Sequence, residues 1–474
     1  MEIETILLGL AIVFGFYMAW SIGANDVANA MGTSVGSGAL TLKRAVILAA
    51  LLEFSGAFFV GSHVSETIRK GIVDPIIFEN NPMDLVYGMM GALLAAAVWL
   101  QVATFFGWPV STTHSIVGSV IGFGVIVGGV ESIAWVKVGS IVASWVVSPL
   151  MSGTIAFIIF SILRRQIYHK DNPVEAAKKI VPPLVFVVFT MLSLAMVFKG
   201  LKNLHLDLAF GEALVMSLGV GLVASIVSYF LTRGITSTPV TDVVKEKQPE
   251  AVFRYIGGAI RQLDKAMNNA RGSLRQRLHL VSSDLHNVKE TATIDHEIEQ
   301  SNADHRTVER IFVYLQILSA AFVAFAHGAN DVANAVGPLA AVVSVLQTGV
   351  INMKSQVPMW VLGMGGVGIM IGLATWGWRV METIGKKITE LTPTRGFAAE
   401  FAAATTIVIA SKLGLPISTT HTLVGAVLGV GLARGIGSLN LRMIGDIVMS
   451  WIITIPVGAI GAIVFYYILK AIFG

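Results

Sequence analysis

The feature that most constrains this chain is a succession of apolar segments, each long enough to cross a bilayer as a helix. They fall near residues 5–30, 45–63, 85–106, 110–128, 133–163, 181–198 and 211–232, and resume near 311–335, 357–380, 396–412, 416–433 and 440–472. Charged residues make up 13% of the chain, where soluble domains carry about 25%. The expectation is an all-α fold, a polytopic membrane helical bundle of about twelve segments. Several segments contain Gly or Pro, which membrane helices tolerate when neighbours satisfy the freed backbone groups. Met1 to Ile6 contain two glutamates and no positive charge. A secretory signal wants a basic start, so residues 5–22 read as a retained first span.

One octapeptide occurs twice at the end of such segments. Gly23-Ala24-Asn25-Asp26-Val27-Ala28-Asn29-Ala30 recurs letter for letter as Gly328-Ala329-Asn330-Asp331-Val332-Ala333-Asn334-Ala335, 305 positions later. An ionisable side chain at membrane depth costs about 2.5–3.5 kcal/mol on insertion scales. A cost borne twice at identical positions points to a duplicated binding site. Three further matches follow in the same order. Pro109-Val110-Ser111-Thr112-Thr113-His114 returns as Pro416-Ile417-Ser418-Thr419-Thr420-His421, and Ser144-Trp145 as Ser450-Trp451. Val64-Ser65-Glu66-Thr67-Ile68 is echoed by Val380-Met381-Glu382-Thr383-Ile384.

The chain therefore divides into a first repeat at 1–163, connecting membrane helices at 164–232, a polar central loop at 233–310 and a second repeat at 311–474. Seven segments separate the start of one repeat from the start of the other, and an odd number of crossings inverts the second. Inverted-topology repeats with interrupted helices are a pattern of secondary transporters. With the N-terminus outside, the short inside loops hold twelve Lys and Arg and the outside loops six, which favours that orientation. In the central loop Val252, Ile256, Ile260, Leu263 and Met267 lie at helical spacing. They predict an amphipathic helix in a cytoplasmic linker that covers the bundle or helps pair subunits.

The Pro-Val-Ser-Thr-Thr-His element reads as a helix start, with proline blocking the incoming helix and serine capping the next. The first-turn amides and hydroxyls of Ser111, Thr112 and Thr113, mirrored by Ser418, Thr419 and Thr420, would bind a phosphate-like anion without needing a lysine. Taken singly, each copy also fits a plain cap of a buried helix. Asn25, Asp26 and Asn29, with Asn330, Asp331 and Asn334, offer hard oxygen ligands suited to Na⁺, together with backbone carbonyls of an unwound helix. A buried polar network is the alternative for the asparagines, less so for the aspartates. Glu53 and Glu400 lie inside apolar segments as proton or cation participants, or as carboxyls bonded within the bundle. His114 and His421 could carry protons, although a helix-lining histidine bonded to a neighbour is the plainer reading, and Arg69 and Lys70 have an interfacial or loop position.

With these motifs, and with Val64-Ser65-Glu66-Thr67-Ile68-Arg69-Lys70-Gly71, the chain resembles the inorganic phosphate transporter (PiT) family over at least residues 5–163 and 307–472. The resemblance implies phosphate symport by an inverted-repeat bundle, commonly a homodimer with a cytoplasmic central loop, driven by Na⁺ or H⁺. Some members carry a neutral metal–phosphate. It would place Asp26 and Asp331 at cation sites and the Ser-Thr-Thr runs at phosphate, and would match Glu53 and Glu400 to membrane glutamates important in members. The expectation is a transporter without cofactor in the plasma membrane, moving phosphate by alternating access with Na⁺ as the first choice of coupling ion and H⁺ coupling, of phosphate or metal–phosphate, as the alternative.

Other classes fare less well. An intramembrane hydrolase with Ser111 or Thr112 as nucleophile and His114 as base needs one site, and the chain has two copies. A passive anion channel would need no cation. Cysteine is absent, which removes thiol catalysis, thiolate metal sites and disulfides. There is no phosphate-loop motif for a nucleotide-driven pump. The net charge of +4 is spread without a basic tract, which argues against nucleic acid.

Overall fold

The computed structural model describes residues 2–197, 208–235, 250–351, 357–381, 391–435 and 439–474. The Arg69 and Lys70 side chains and the Glu382-Thr383-Ile384 echo lie outside the described residues. Among the described residues the structure is helical, with one isolated antiparallel bridge between Val73 and Ile133 and no strand. The chain begins with α1 (Glu2–Gly36), α2 (Leu42–Val60), α3 (Ser62–Lys70), α4 (Pro82–Phe105), α5 (Thr112–Gly128) and α6 (Trp135–Leu163). Next come α7 (Pro173–Val197), α8 (Phe210–Arg233) and α9 (Glu250–Asn269). After them come α10 (Ser273–Asp331), α11 (Ala333–Thr348), α12 (Met359–Thr375), α13 (Pro393–Lys412), α14 (Thr419–Arg434) and α15 (Leu441–Phe473). Among the described residues seven helical stretches are long and apolar enough to cross a membrane, and α5 and α12 are shorter apolar helices.

Packing interleaves helices from the N-terminal and C-terminal parts of the chain. Helix α1 packs on α12 while α10 packs on α2; α5 packs on α15 while α14 packs on α6. Two glycines of the repeated octapeptide permit the α1–α12 and α10–α2 contacts. A Cβ on Gly23 would lie 2.0 Å from the Ile369 carbonyl oxygen, and one on Gly328 would lie 2.1 Å from that of Glu53. Only glycine allows backbones to approach so closely.

Helices α4 and α5 fold back on each other as a hairpin, with Gly88 seated against the ring of Phe123. Helices α13 and α14 pair likewise. Proline at the start of α4 and of α13 suits a first helical turn, where its missing N–H costs nothing. Glu309 of α10 tethers the start of α13, accepting from the Thr394 N–H at 2.9 Å and from the Tyr168 hydroxyl at 2.6 Å.

Two differences from the sequence reading stand out. The first octapeptide lies inside the continuous helix α1, and the second is broken only at Val332. The unwound helix expected there is not formed. Each aspartate and asparagine side chain instead projects from a helical residue, because the flanking alanines favour helix and the polar groups find partners on neighbouring helices. One carbonyl in this stretch is released for another reason: Pro338 within α11 has no N–H for the carbonyl of Asn334. Helix α10 is also 59 residues long and runs without interruption from the polar central region to Asp331.

Helices α7 and α8 pair with each other, and α7 also rests on α10. Helix α9 lies along α10 with Ile260 buried.

Candidate functional site

The hairpin turns between α4 and α5 and between α13 and α14 meet each other beside the two octapeptides. Ser111 and Ser418 are extended residues at the helix starts, and each hydroxyl accepts the main-chain N–H three residues on, from His114 and His421 respectively, at 3.2 Å. The first intrahelical N–H bonds come from Ser115 and Thr422. The amides of Thr112, Thr113, Thr419 and Thr420 precede them and are donors without an intrahelical acceptor. The two tips cross-brace: Thr113 Oγ1 donates to the Ile417 carbonyl at 2.9 Å, and Thr420 Oγ1 to the Val110 carbonyl at 3.2 Å. Two helix N-termini, each with a partial positive charge, therefore face one another.

The asparagines hold this arrangement. Asn25 Nδ2 donates to Thr104 Oγ1 at 2.9 Å and to the Trp108 carbonyl at 3.1 Å, and its Oδ1 accepts from the Val110 N–H at 3.3 Å. Asn330 repeats this with Ser411 Oγ at 3.0 Å and the Leu415 carbonyl at 3.3 Å. The first asparagine of each octapeptide thus ties its helix to the tip of its own repeat. The second reaches the opposite tip. Asn29 Nδ2 donates to Thr420 Oγ1 at 2.9 Å, and Asn334 Nδ2 to Thr113 Oγ1 at 3.2 Å.

The aspartates close the site. Asp331 Oδ2 accepts from Thr419 Oγ1 at 2.7 Å, and Asp26 Oδ1 accepts from Asn29 Nδ2 at 3.1 Å. Between them stands His327, which the sequence reading did not single out. Its Nε2 is 3.1 Å from Asp331 Oδ2 and 4.0 Å from Asp26 Oδ2, and its Nδ1 is 3.3 Å from Glu53 Oε1. Ligand atoms of Asp26, His327 and Asp331 lie within 4.8 Å of one another. Every predicted site residue on the octapeptides and tips, with Glu53, Glu400 and His327, is at most 2% exposed.

Seven acceptor oxygens in this cluster have no hydrogen-bond partner: Asp26 Oδ2, Asn29 Oδ1, both Glu53 oxygens, Asn330 Oδ1, Asp331 Oδ1 and Asn334 Oδ1. Buried acceptors in native structures are nearly always satisfied. Carboxylate and amide oxygens are what a hard cation takes. Three carboxyl groups surround a single imidazole, so even a doubly protonated ring leaves a fully ionised cluster two charges negative. The donor set and its charge suit a small cation.

Glu400 belongs to a different cluster. Its Oε1 accepts from Thr33 Oγ1 at 2.6 Å, Ser34 Oγ at 2.6 Å and Gln316 Nε2 at 3.2 Å, and its Oε2 from Ser319 Oγ at 2.6 Å. It ties together α1, α10 and α13. The histidines after the threonines also lie apart from the aspartates. His114 packs on Trp145 and points Nδ1 at the Trp451 carbonyl, while His421 packs on Trp451 and points Nδ1 at the Trp145 carbonyl. His114 thus faces α15, and Ser111 Oγ receives its main-chain N–H rather than its ring.

The chain matches the phosphate transporter family over residues 22–462. It is 44% identical over its full length to the chloroplastic inorganic phosphate transporter 2-1 of Arabidopsis thaliana, covering 74% of that protein. It is 42% identical to a putative phosphate permease of Pyrococcus abyssi, with 98% of each chain covered. A solved structure described as the sodium-dependent phosphate transporter superposes with a TM-score of 0.78 at 38% identity, over 98% of this chain and 100% of that one.

Proposed function

The chain belongs to the phosphate transporter family, and from that footing we propose that it is a cation-coupled symporter of inorganic phosphate with Na⁺ as the coupling ion. The observation that carries this is the meeting of two capped helix N-termini directly beside a carboxylate cluster rich in unpartnered oxygens. The first supplies oriented donors for a tetrahedral anion; the second supplies oxygens for its counter-cations.

In this reading phosphate sits between the tips. It takes the amides of Thr112, Thr113, Thr419 and Thr420, and the hydroxyls that now brace one tip against the other. Ser111 and Ser418 hold the helix starts in place. Asp26 and Asp331 bind cations, with Asn29 and Asn334 contributing their free amide oxygens. Asn25 and Asn330 fix each tip against its octapeptide helix. A cation at the aspartates raises phosphate affinity through direct attraction, and phosphate raises cation affinity by the same factor.

The two repeats have opposite orientation among about twelve membrane segments, and the site opens alternately to either side. The reciprocal packing of α1 on α12 and α10 on α2 supports a two-fold relation between the halves. The working assembly is a homodimer in the plasma membrane; cross-linking in native membranes that yields only monomers would remove that part.

Tracer phosphate uptake into proteoliposomes tests the function. Accumulation above equilibrium with an inward Na⁺ gradient, and none with K⁺, is the expected result. Equal slow entry under both would mean a passive pathway.

Proton coupling is a second reading, favoured by one observation. Both ring nitrogens of His327 face carboxylate oxygens, so a neutral ring leaves Glu53 or Asp331 without a donor. Uptake driven by an acidic exterior without Na⁺ would select it, with or without a metal ion accompanying phosphate.

A further inference from the structure

Helices α7 and α8 lie outside both repeats, and no part of the phosphate site uses them. Together with part of α10 they line an apolar, partly open cavity of about 1160 Å³. Its lining on α8 runs from Met216 to Thr232, about 24 Å of helix and most of the roughly 30 Å hydrocarbon thickness of a bilayer. The cavity opens sideways: Val223 is 63% exposed and Tyr314 76% exposed. Helix α8 is apolar on every face, as expected of a helix bathed in lipid.

One end of this groove is basic. Lys178 precedes the lining residues Val181 and Val185 at helical spacing and shares their face. Arg310 stands one turn before the lining Tyr314, and Arg233 directly follows the lining Thr232. Each of the three helices therefore brings a cation to the same end. The Lys178 side chain is only 13% exposed, so its stem is packed along the helices, and its ammonium is 2.7 Å from Glu175. That bond uses one of its three donors.

We propose that this groove binds one anionic phospholipid, an acyl chain lying between α7 and α8 and the phosphate held by Lys178, Arg233 and Arg310. The apolar length accommodates the chain, and the basic end selects the headgroup. The site is on α10 itself: the lining Ala321 is six residues from His327 in the same unbroken helix. Lipid in the groove would steady the helix that carries His327 and Asp331.

The test uses the full-length purified protein, stripped in detergent and titrated with phosphatidylglycerol or phosphatidylcholine of identical acyl chains, with bound lipid counted by native mass spectrometry. One phosphatidylglycerol should be retained per chain in preference to phosphatidylcholine. The double variant Lys178→Gln/Arg310→Gln should lose that preference by roughly thirtyfold, the effect of two basic contacts to a lipid headgroup. Gly219→Trp fills the groove, where a Cβ meets nothing within 4 Å, and should lose both lipids while melting like the parent. Equal retention of the two lipids, or a double variant that keeps the preference, would overturn the proposal. Because the chain has no cysteine, Val223→Cys alone reports whether a second copy covers the groove. Efficient disulfide dimers of that variant in native membranes would also overturn it.

Discussion

Glu400→Gln is expected to damage the fold more than the transport chemistry. The carboxylate of Glu400 receives four hydrogen bonds from Thr33, Ser34, Gln316 and Ser319 at 2.6–3.2 Å. Bonds to a charged acceptor contribute about 1.5–3 kcal/mol and ordinary ones about 0.5–1.5, so neutralising the acceptor removes roughly 1 kcal/mol from each. Four such losses total about 4 kcal/mol. The smaller penalty for burying an amide in place of a carboxylate offsets part of this, leaving about 2–3 kcal/mol. The melting temperature of the purified protein, followed by size-exclusion fluorescence after heating, should fall by several degrees. Glu53→Gln is the matched control. Among the described residues the His327 ring is the one donor near Glu53, with Nδ1 3.3 Å from Oε1. That variant should melt near the parent temperature and lose cation-driven uptake. If Glu400→Gln melts like the parent while abolishing uptake, the four-donor cluster is part of the ion path and the reasoning fails.

Other substitutions probe the remaining elements. Asp26→Asn should keep the protein folded and weaken the Na⁺ dependence of uptake; an unchanged Na⁺ titration would remove Asp26 from the cation site. Ser111→Ala or Ser418→Ala should each lower stability by about 1 kcal/mol through the lost cap and raise the KM for phosphate, whereas a fall in stability with unchanged KM would make the caps purely structural. Gly23→Ala and Gly328→Ala introduce nearly equal backbone clashes, 2.0 and 2.1 Å. Only the second pushes on Glu53, so it should impair cation-driven uptake more for a similar loss of stability; equal effects would separate Glu53 from coupling.

Much of the site was legible because it is written twice. The two octapeptides and the two Ser-Thr-Thr runs identify each other by repetition, and the serines cap as their position after proline suggests. His327 escaped for the same reason. Its counterpart 305 positions earlier is Ile22, so a search guided by what recurs passes over it. A histidine abutting the second octapeptide within an apolar segment was the available signal. Glu53 and Glu400 are likewise single. Glu53 joins His327 because Gly328 lets α10 touch α2, a contact that no local pattern encodes. Charge content changes at residue 310, which suggests a seam there, but the backbone of α10 remains helical on both sides of it. Hydropathy marks a change of environment there, while helix continuity depends on local propensity and packing. The cross-bracing of Thr113 to Ile417 and Thr420 to Val110 arises from residues some three hundred positions apart, beyond any sequence-local inference.

Linkage between the two ions offers the most direct test of the central claim, that anion and cation occupy adjoining sites at the meeting tips. Phosphate affinity of the purified protein would be measured by equilibrium binding at increasing Na⁺, with K⁺ holding ionic strength constant. The Kd for phosphate should fall as Na⁺ rises in the parent and become insensitive to Na⁺ in Asp331→Asn. A phosphate Kd independent of Na⁺ in the parent would contradict coupling at this site.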